Sequence, residues 1–353
     1  MAGNLKIAVL YEPSDNTGTP EIASERVRHR ERRRPGGGRR WRGPERRQKI
    51  DREHVADALR ANGYEASLHE LRDEGSLLAL AKSNADLILN MVEAYAGDDS
   101  REPHLAAFLE LLELRYTGAG PQALFLAQDK ALAKKIFDFH GIRTPRFASS
   151  YRGKLDHMDD LEFPLIVKPA SEDGSVGIDV GAVVHGLREL MERVSMIQEK
   201  FDCPALIEEF IEGREIYVGV MGNDKPVALP VVELDLSKLP DEMPKIAGRE
   251  VKWDKGTSAF EVTRAMAAKD LEGELAGRLQ ETALQVYSAL KLRDYGRVDM
   301  RLTGDGRIYV IEANPNPWLA PEGELAIAAR LAGRSYVELI GQIVELALAR
   351  YAD

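Results

Sequence analysis

The sequence predicts a mixed protein, α/β in its N-terminal third and α+β beyond it, on two observations. Between Leu5 and Leu114, short apolar runs alternate with segments of helical period, the pattern of a small doubly wound sheet. After Phe163, strand-like runs return in close succession through short polar turns, which reads as antiparallel sheet interleaved with helices. At 353 residues the chain can form two or three packed units. Its 44% hydrophobic and 30% charged content is that of a globular protein. No apolar run is long enough to span a bilayer, and Met1–Leu10 leads into a strand instead of a signal peptide, so no membrane partner is expected. Cys203 is the only cysteine, which excludes an intrachain disulfide and fits a reducing cytoplasm.

The elements follow in order. Leu5–Leu10 (LKIAVL) is a first buried strand, and Tyr11–Pro20 is rich in turn formers. Arg26–Arg47 holds eleven arginines against Glu31 and Glu45, with Pro35-Gly36-Gly37-Gly38 inside it. Charge, glycine and few aliphatics make residues 22–48 a disordered insertion, with a polyanion-binding arm as the alternative. Because the whole chain carries −10, the body outside this run is strongly acidic, so no nucleic-acid partner is expected. A polyphosphate would need a local basic pocket. A helix over 51–62 ends at Gly63. Strand 64–71, helix 77–83, strand 86–91 and helix 103–114 then complete the α/β unit. Its loops at strand C-termini, including Glu93–Arg101, are where such a sheet presents ligand contacts, so Glu93 and Arg101 are candidates.

Helices over 122–128 and 129–140 lead to strand 163–169, the loop 170–177 and strand 178–184. A helix over 187–199, strands 205–211, 215–221 and 227–234, an irregular stretch 240–259 and a long helix 271–292 follow. Tyr295–Trp318 then reads as a hairpin: Gly296–Leu302 and Arg307–Ala313 joined by Thr303-Gly304-Asp305-Gly306. Helices 323–332 and 335–351 close the chain. The organisation expected is 1–128, 129–211 and 212–353.

Period-2 geometry puts Arg297 and Asp299 on one face of the first hairpin strand, and Glu312 and Asn314 on one face of the second. If the register joins those faces, two carboxylates and an amide oxygen form a hard donor set suited to Mg²⁺ beside phosphates. A solvated hairpin face with a surface ion pair is the alternative. The loop Ser171-Glu172-Asp173-Gly174-Ser175-Val176-Gly177 would be a flap whose glycines let backbone N–H groups approach phosphates, with Ser175 adding a hydroxyl, although a plain turn fits the same residues. It is not a Walker loop. Lys130, Lys168 and Lys252 could balance a polyphosphate. Glu208, Glu209, Phe210 and Ile211 could seat an adenine along their backbone, and Glu215 could accept from a ribose; they could equally be the core and rim of a sheet.

In this order, IVKP at 166–169, the glycine flap, LIEEFIEGRE at 206–215, Lys252-Trp253, GRVDM at 296–300 and IEANPNP at 311–317 resemble the ATP-grasp superfamily, and within it the D-alanine–D-alanine ligases. The resemblance covers roughly residues 85 to 350. It implies an ATP-grasp fold: a doubly wound pre-ATP-grasp domain and two α+β lobes enclosing the nucleotide. It also implies an ATP-dependent carboxylate–amine ligase acting through an acyl phosphate on small carboxylate and amine substrates, amino acids by analogy. Carried over by motif, Lys130 and Lys168 would hold the α- and β-phosphates. Gly174, Ser175 and the flap backbone would cover the β- and γ-phosphates, and Lys252 would touch the γ-phosphate. Glu208, Glu209, Phe210, Ile211 and Glu215 would seat adenosine with Trp253 nearby. Asp299, Glu312 and Asn314 would bind one or two Mg²⁺ (or Mn²⁺), and Arg297 would stabilise the oxyanion. Members of the family are often homodimers.

The amino-acid subsites depart from the family. Tyr11-Glu12-Pro13-Ser14-Asp15-Asn16 stands where a glycine-rich segment is expected, Asn90-Met91-Val92-Glu93 replaces the His-Gly loop, and Pro315-Asn316-Pro317-Trp318-Leu319 replaces TSPGMT. Glu93, Arg101, Asn316 and Trp318 are the candidates for substrate contact. Three alternatives stay open: a D-alanine–D-alanine ligase proper, a carboxylate–thiol ligase, and an ATP-binding module without catalysis.

Overall fold

A computed structural model describes residues 5–13, 51–151, 154–156, 161–172, 174–252, 254, 257–271 and 273–352. The arginine-rich segment, Ser14–Asn16, Asp173 and Trp253 lie outside the described residues.

Three sheets organise the chain. β1 (Lys6–Tyr11), β2 (Glu65–Glu70) and β3 (Leu87–Asn90) pair in parallel in the order β2-β1-β3. Parallel pairing needs a crossover, supplied by α1 (Asp51–Ala61) and α2 (Glu74–Ala81). α1 buries Val55, Ala56, Ala58 and Leu59, the stripe its periodicity marks. α3 (Glu102–Leu111), α4 (Pro121–Gln128) and α5 (Lys130–Phe139) follow. Asp129 caps α5, its carboxylate accepting from the Leu132 N–H at 2.9 Å, and so sets the start of the helix that carries Lys130.

The second sheet is antiparallel, in the order β5-β4-β8-β6-β7: β4 (Phe147–Tyr151), β5 (Lys154–Asp156), β6 (Leu165–Pro169), β7 (Val183–Val184) and β8 (Ala205–Glu209). α6 (Leu187–Phe201) covers it with Leu190, Val194, Ile197 and Phe201. The third is also antiparallel, in the order β12-β11-β9-β13-β14 with β10 beside β9. It comprises β9 (Arg214–Met221), β10 (Val227–Ala228), β11 (Val232–Asp235), β12 (Arg264–Ala267), β13 (Tyr295–Leu302) and β14 (Ile308–Asn314). The short helices α7 (Arg249–Lys252) and α8 (Ser258–Val262) precede α9 (Gly273–Ala289), and α10 (Glu324–Leu331) and α11 (Tyr336–Arg350) end the chain. Among the described residues no helix is long and apolar enough to cross a membrane.

Several expectations change. The strand expected over 178–184 shrinks to β7, because Ile178 and Val180 spend backbone groups on residues 249 and 250 instead of on β6. The strand expected over 227–234 splits into β10 and β11 around Pro230, which has no N–H to give a ladder. β4, β5 and β12 were not expected as strands, and the stretch 240–259 contains two short helices.

β13 lies between β9 and β14, and all eight of its residues are buried. Val298, Met300 and Leu302 face the core containing Leu279, Ala283 and Val286 of α9. Arg297, Asp299 and Arg301 face the other way. Charges on a buried strand persist only when paired. Their partners define the site.

Candidate active site

The hairpin register joins the two expected faces. Arg297 sits opposite Asn314 and Asp299 opposite Glu312, with an irregularity after Asp299 that pairs Met300 with Val310 and leaves Ile311 as the extra residue. The Arg297 guanidinium grips Asp299 with two parallel bonds, Nε to Oδ1 at 2.7 Å and Nη2 to Oδ2 at 2.8 Å. Its Nη1 donates to Glu324 Oε2 at 2.8 Å. Gly219 makes room for Glu324's helix: a Cβ there would lie 2.6 Å from Leu325 Cδ1.

Lys130, from the first turn of α5, places Nζ 3.6 Å from Glu312 Oε2. Glu208 is fully buried and holds two lysines, Lys134 on Oε1 and Lys168 on Oε2, each at 2.5 Å. Glu215 pairs with Arg301 at 2.8 Å. A cleft lies between the second and third sheets, with about 620 Å³ of free space when the part open to solvent is included. Lys168, Ser175, Glu208, Lys252, Asp299 and Glu312 line it. Phe210, Ile211, Ile166 and Ile178 supply apolar wall.

The environment pushes the two facing carboxylates apart. Burial raises Asp299, an effect that Arg297 only partly offsets. Burial would also raise Glu312, but Lys130, Lys168, Lys252 and Arg297 together outweigh it and hold that carboxyl down. Glu208 is likewise kept ionised against burial by Lys134 and Lys168. Burial pushes Lys134 down to about 8, with Glu208 opposing.

The residues present suit a divalent cation. Two carboxylates and an amide are hard oxygen donors, and Mg²⁺ uses one or two carboxylates with phosphates and water completing its shell. Asn314 Nδ2 is buried without a hydrogen-bond partner among the described residues, and a half-turn of the amide exchanges it for an oxygen that a cation would satisfy.

The flap lies closed. Gly174 and Gly177 have φ of +62° and +73°, and a Cβ on Gly177 would meet Pro169 Cγ at 2.6 Å. The Ser175 hydroxyl, expected on a phosphate, donates to the Ala247 carbonyl at 2.7 Å, and Arg249 N–H donates to the Ile178 carbonyl at 2.8 Å. Arg193 braces the flap through Asp179 at 2.8 Å and the Gly177 carbonyl at 2.6 Å. Expectations for the adenine segment also change. Glu208 is an ion-pair hub, Glu215 answers Arg301, and the N–H groups of Glu209 and Phe210 donate to Arg146 and Pro164 carbonyls. Ile211 lines the cleft. Trp253 lies outside the described residues.

None of the four candidate substrate residues lines the cleft. Glu93 is exposed at the end of β3, where its N–H and that of Ala94 donate to the Glu12 carboxylate. Arg101 pairs with Asp98 at 3.3 Å. Asn316 anchors its loop, its Nδ2 donating to Glu102 at 2.8 Å and its Oδ1 accepting from Ala119 N–H at 3.3 Å. Trp318 is 37% exposed and its Nε1 donates to Asp51 at 2.5 Å.

Sequence reasoning missed Lys134, Glu324 and Tyr217. Lys134 stands four residues after Lys130, on the same helix face, and that spacing was a readable signal. Glu324 opens a helix after Gly323 but gives no sign of its partner. Tyr217 shares a strand face with Glu215, and its ring lies under both the Arg297 guanidinium (5.0 Å to the centroid) and Lys252 Nζ (5.8 Å). Lys252 has no carboxylate within ion-pair distance among the described residues. The Tyr217 hydroxyl is buried without a hydrogen-bond partner among the described residues. Tyr217→Phe keeps the ring and deletes that unsatisfied group, so its Tm by scanning calorimetry is expected at or above the parent's. A fall of several degrees would show that the hydroxyl has a partner.

The family model "D-ala D-ala ligase C-terminus" matches residues 130–345. A D-alanine--D-alanine ligase of Bordetella petrii is 33% identical over 84% of this chain and 86% of its own length. An uncharacterised protein, y4sG, of Sinorhizobium fredii is 35% identical over 84% and 87%. A D-alanine--D-alanine ligase from Bacillus anthracis, solved with ATP, superposes with a TM-score of 0.72 at 24% identity, covering 98% of each chain. The VanG D-Ala:D-Ser ligase of Enterococcus faecalis gives 0.68 at 18% identity, covering 98% of this chain and all of its own. These superpositions establish the fold.

Proposed function

We propose that this chain, which belongs to the D-alanine–D-alanine ligase family of ATP-grasp proteins, joins a small amino-acid carboxylate to an amine at the expense of ATP, releasing ADP and phosphate. The observation that carries the reading is the pairing of Asp299 with Glu312 and of Arg297 with Asn314 beside a lysine-lined cleft. Residues 1–128, 129–211 and 212–353 are read as the substrate, flap and metal units.

In this reading Lys130, Lys168 and Lys252 neutralise the polyphosphate, and Gly174 to Gly177 shield it from water. Glu209, Phe210 and Ile211 flank the adenine, with Glu215 at its edge, Trp253 nearby, and Glu208 acting through the lysines it holds. Asp299, Glu312 and Asn314 would hold one or two Mg²⁺, with Mn²⁺ an equivalent; the bound ion supplies charge neutralisation to the transferring phosphoryl group. Arg297 donates to the oxyanion as the amine adds to the acyl phosphate. Phosphoryl transfer depends on positioning and electrostatics more than on covalent help, and this donor set provides both. Glu93, Arg101 and Trp318, which lie outside the cleft, stay the candidates for contact with the acid and the amine.

The test is ADP release with ATP and Mg²⁺ across a panel of D- and L-amino acids. At least one acid is expected to raise the rate well above the acid-free background. ATP binding without stimulation by any acid or acid–amine pair would leave a non-catalytic nucleotide-binding module. Retention of Arg297, Asp299, Glu312 and Asn314 favours the enzyme, because holding ATP alone does not need an oxyanion donor.

A further inference from the structure

Lys134 is completely buried in α5 and does not line the cleft, yet it touches Glu208, which does, and reaches β14 through Thr144. Its Nζ lies 2.5 Å from Glu208 Oε1 on β8 and donates to Thr144 Oγ1 at 2.7 Å. The Thr144 hydroxyl donates in turn to the Val310 carbonyl at 2.8 Å, on the strand that carries Glu312. One path of hydrogen bonds and ion pairs therefore runs from β14 through Thr144, Lys134 and Glu208 to Lys168. It joins the strand with the metal ligands to the strand with a phosphate lysine.

The charge count gives this path a purpose. Lys168 and Glu208 alone would make a neutral buried pair with little to offer an anion. With Lys134 on the second carboxylate oxygen, the cluster carries a net +1, and Lys168 shares its counter-ion instead of owning it. We propose that Lys134 is a positioning residue for nucleotide binding: by occupying half of the Glu208 carboxylate it leaves Lys168 with uncompensated charge for the polyphosphate. This rests on the reading that ATP occupies the cleft. The bland account is a structural ion pair whose removal costs stability and nothing else.

The test measures equilibrium binding of ATP, ADP and adenosine, each with Mg²⁺, to the full chain. Lys134→Met is expected to weaken ATP and ADP by about tenfold or more, the effect of one unit charge lost within roughly 12 Å at an effective dielectric of about 20. Adenosine should hold within about twofold. A purely structural role would weaken all three alike, or lower only Tm. Glu208→Gln is expected to shift the ATP-to-adenosine affinity ratio the opposite way, toward ATP. The double variant Lys134→Met/Glu208→Gln again carries one net cation, and its ratio should return to near the parent's. If Lys134→Met does not fold, the Glu208→Gln and double-variant ratios decide. Parental ratios in the variants, with ATP still bound by the parent, overturn the role of Lys134 alone. A parent that binds no ATP removes the cleft reading along with it.

Discussion

Arg297→Ala is expected to cut turnover by about a hundredfold or more while ATP affinity stays within about threefold of the parent's. Of the five N–H donors on a guanidinium, three are committed inside the protein, two to Asp299 and one to Glu324. Two remain, one on each terminal nitrogen. The Tyr217 ring beneath the group and carboxylates at its edges hold it in one place. A donor held this way needs little reorganisation when negative charge develops on a tetrahedral centre, so its contribution belongs to the transition state. Arg297→Lys should not restore the rate. One ammonium cannot grip Asp299 with two parallel bonds and reach Glu324 at the same time. Steady-state ADP release, beside calorimetric ATP binding, separates the outcomes. Equal losses of binding and turnover would mean that Arg297 holds the ground state instead.

The parts of this site that were legible in the sequence are those governed by local periodicity. Alternation along GRVDM and IEAN gave the facing of Arg297, Asp299, Glu312 and Asn314, because a hairpin across a four-residue turn leaves few registers. The extra residue at Ile311 was not legible, since a bulge depends on what the neighbouring strand requires. Ile178 and Val180 read as a strand because β-branched residues favour one, but backbone bonds to residues 249 and 250 prevail there. Nor does the sequence reveal that Glu208 belongs to Lys134 and Lys168, or that Trp318 and Asn316 reach back to Asp51 and Glu102. Those pairings span from forty to more than two hundred residues. In each, a side chain assigned to a ligand by motif also satisfies a neighbour in the fold. The lysines and carboxylates assigned to phosphate and metal carry more hydrogen-bonding groups than one partner uses, which leaves them capacity for a ligand. Asn316 engages both ends of its amide within the fold, which leaves it one N–H and one lone pair.

Glu312→Gln should separate nucleotide binding from metal dependence most sharply. Four cations, Lys130, Lys168, Lys252 and Arg297, act on this carboxylate and keep it ionised. Removing its charge leaves them partly uncompensated beside the cleft. Metal-free ATP, itself an anion, should therefore bind at least as tightly as to the parent, and tighter at low salt, where screening is weak. The opposite sign is expected once Mg²⁺ is added. Asp299 is then the only carboxylate left in the donor set, and Arg297 already holds both of its oxygens. The variant should show little strengthening of ATP binding by Mg²⁺, and turnover lower by a factor on the order of 10³, matching the several kcal/mol that a metal contributes to phosphoryl transfer. Titrations of ATP with and without Mg²⁺, at two salt concentrations, read both signs without a carboxylate substrate. An undiminished Mg²⁺ effect in Glu312→Gln would place the cation elsewhere. Weaker metal-free binding would show that the lysines around Glu312 do not face the phosphates.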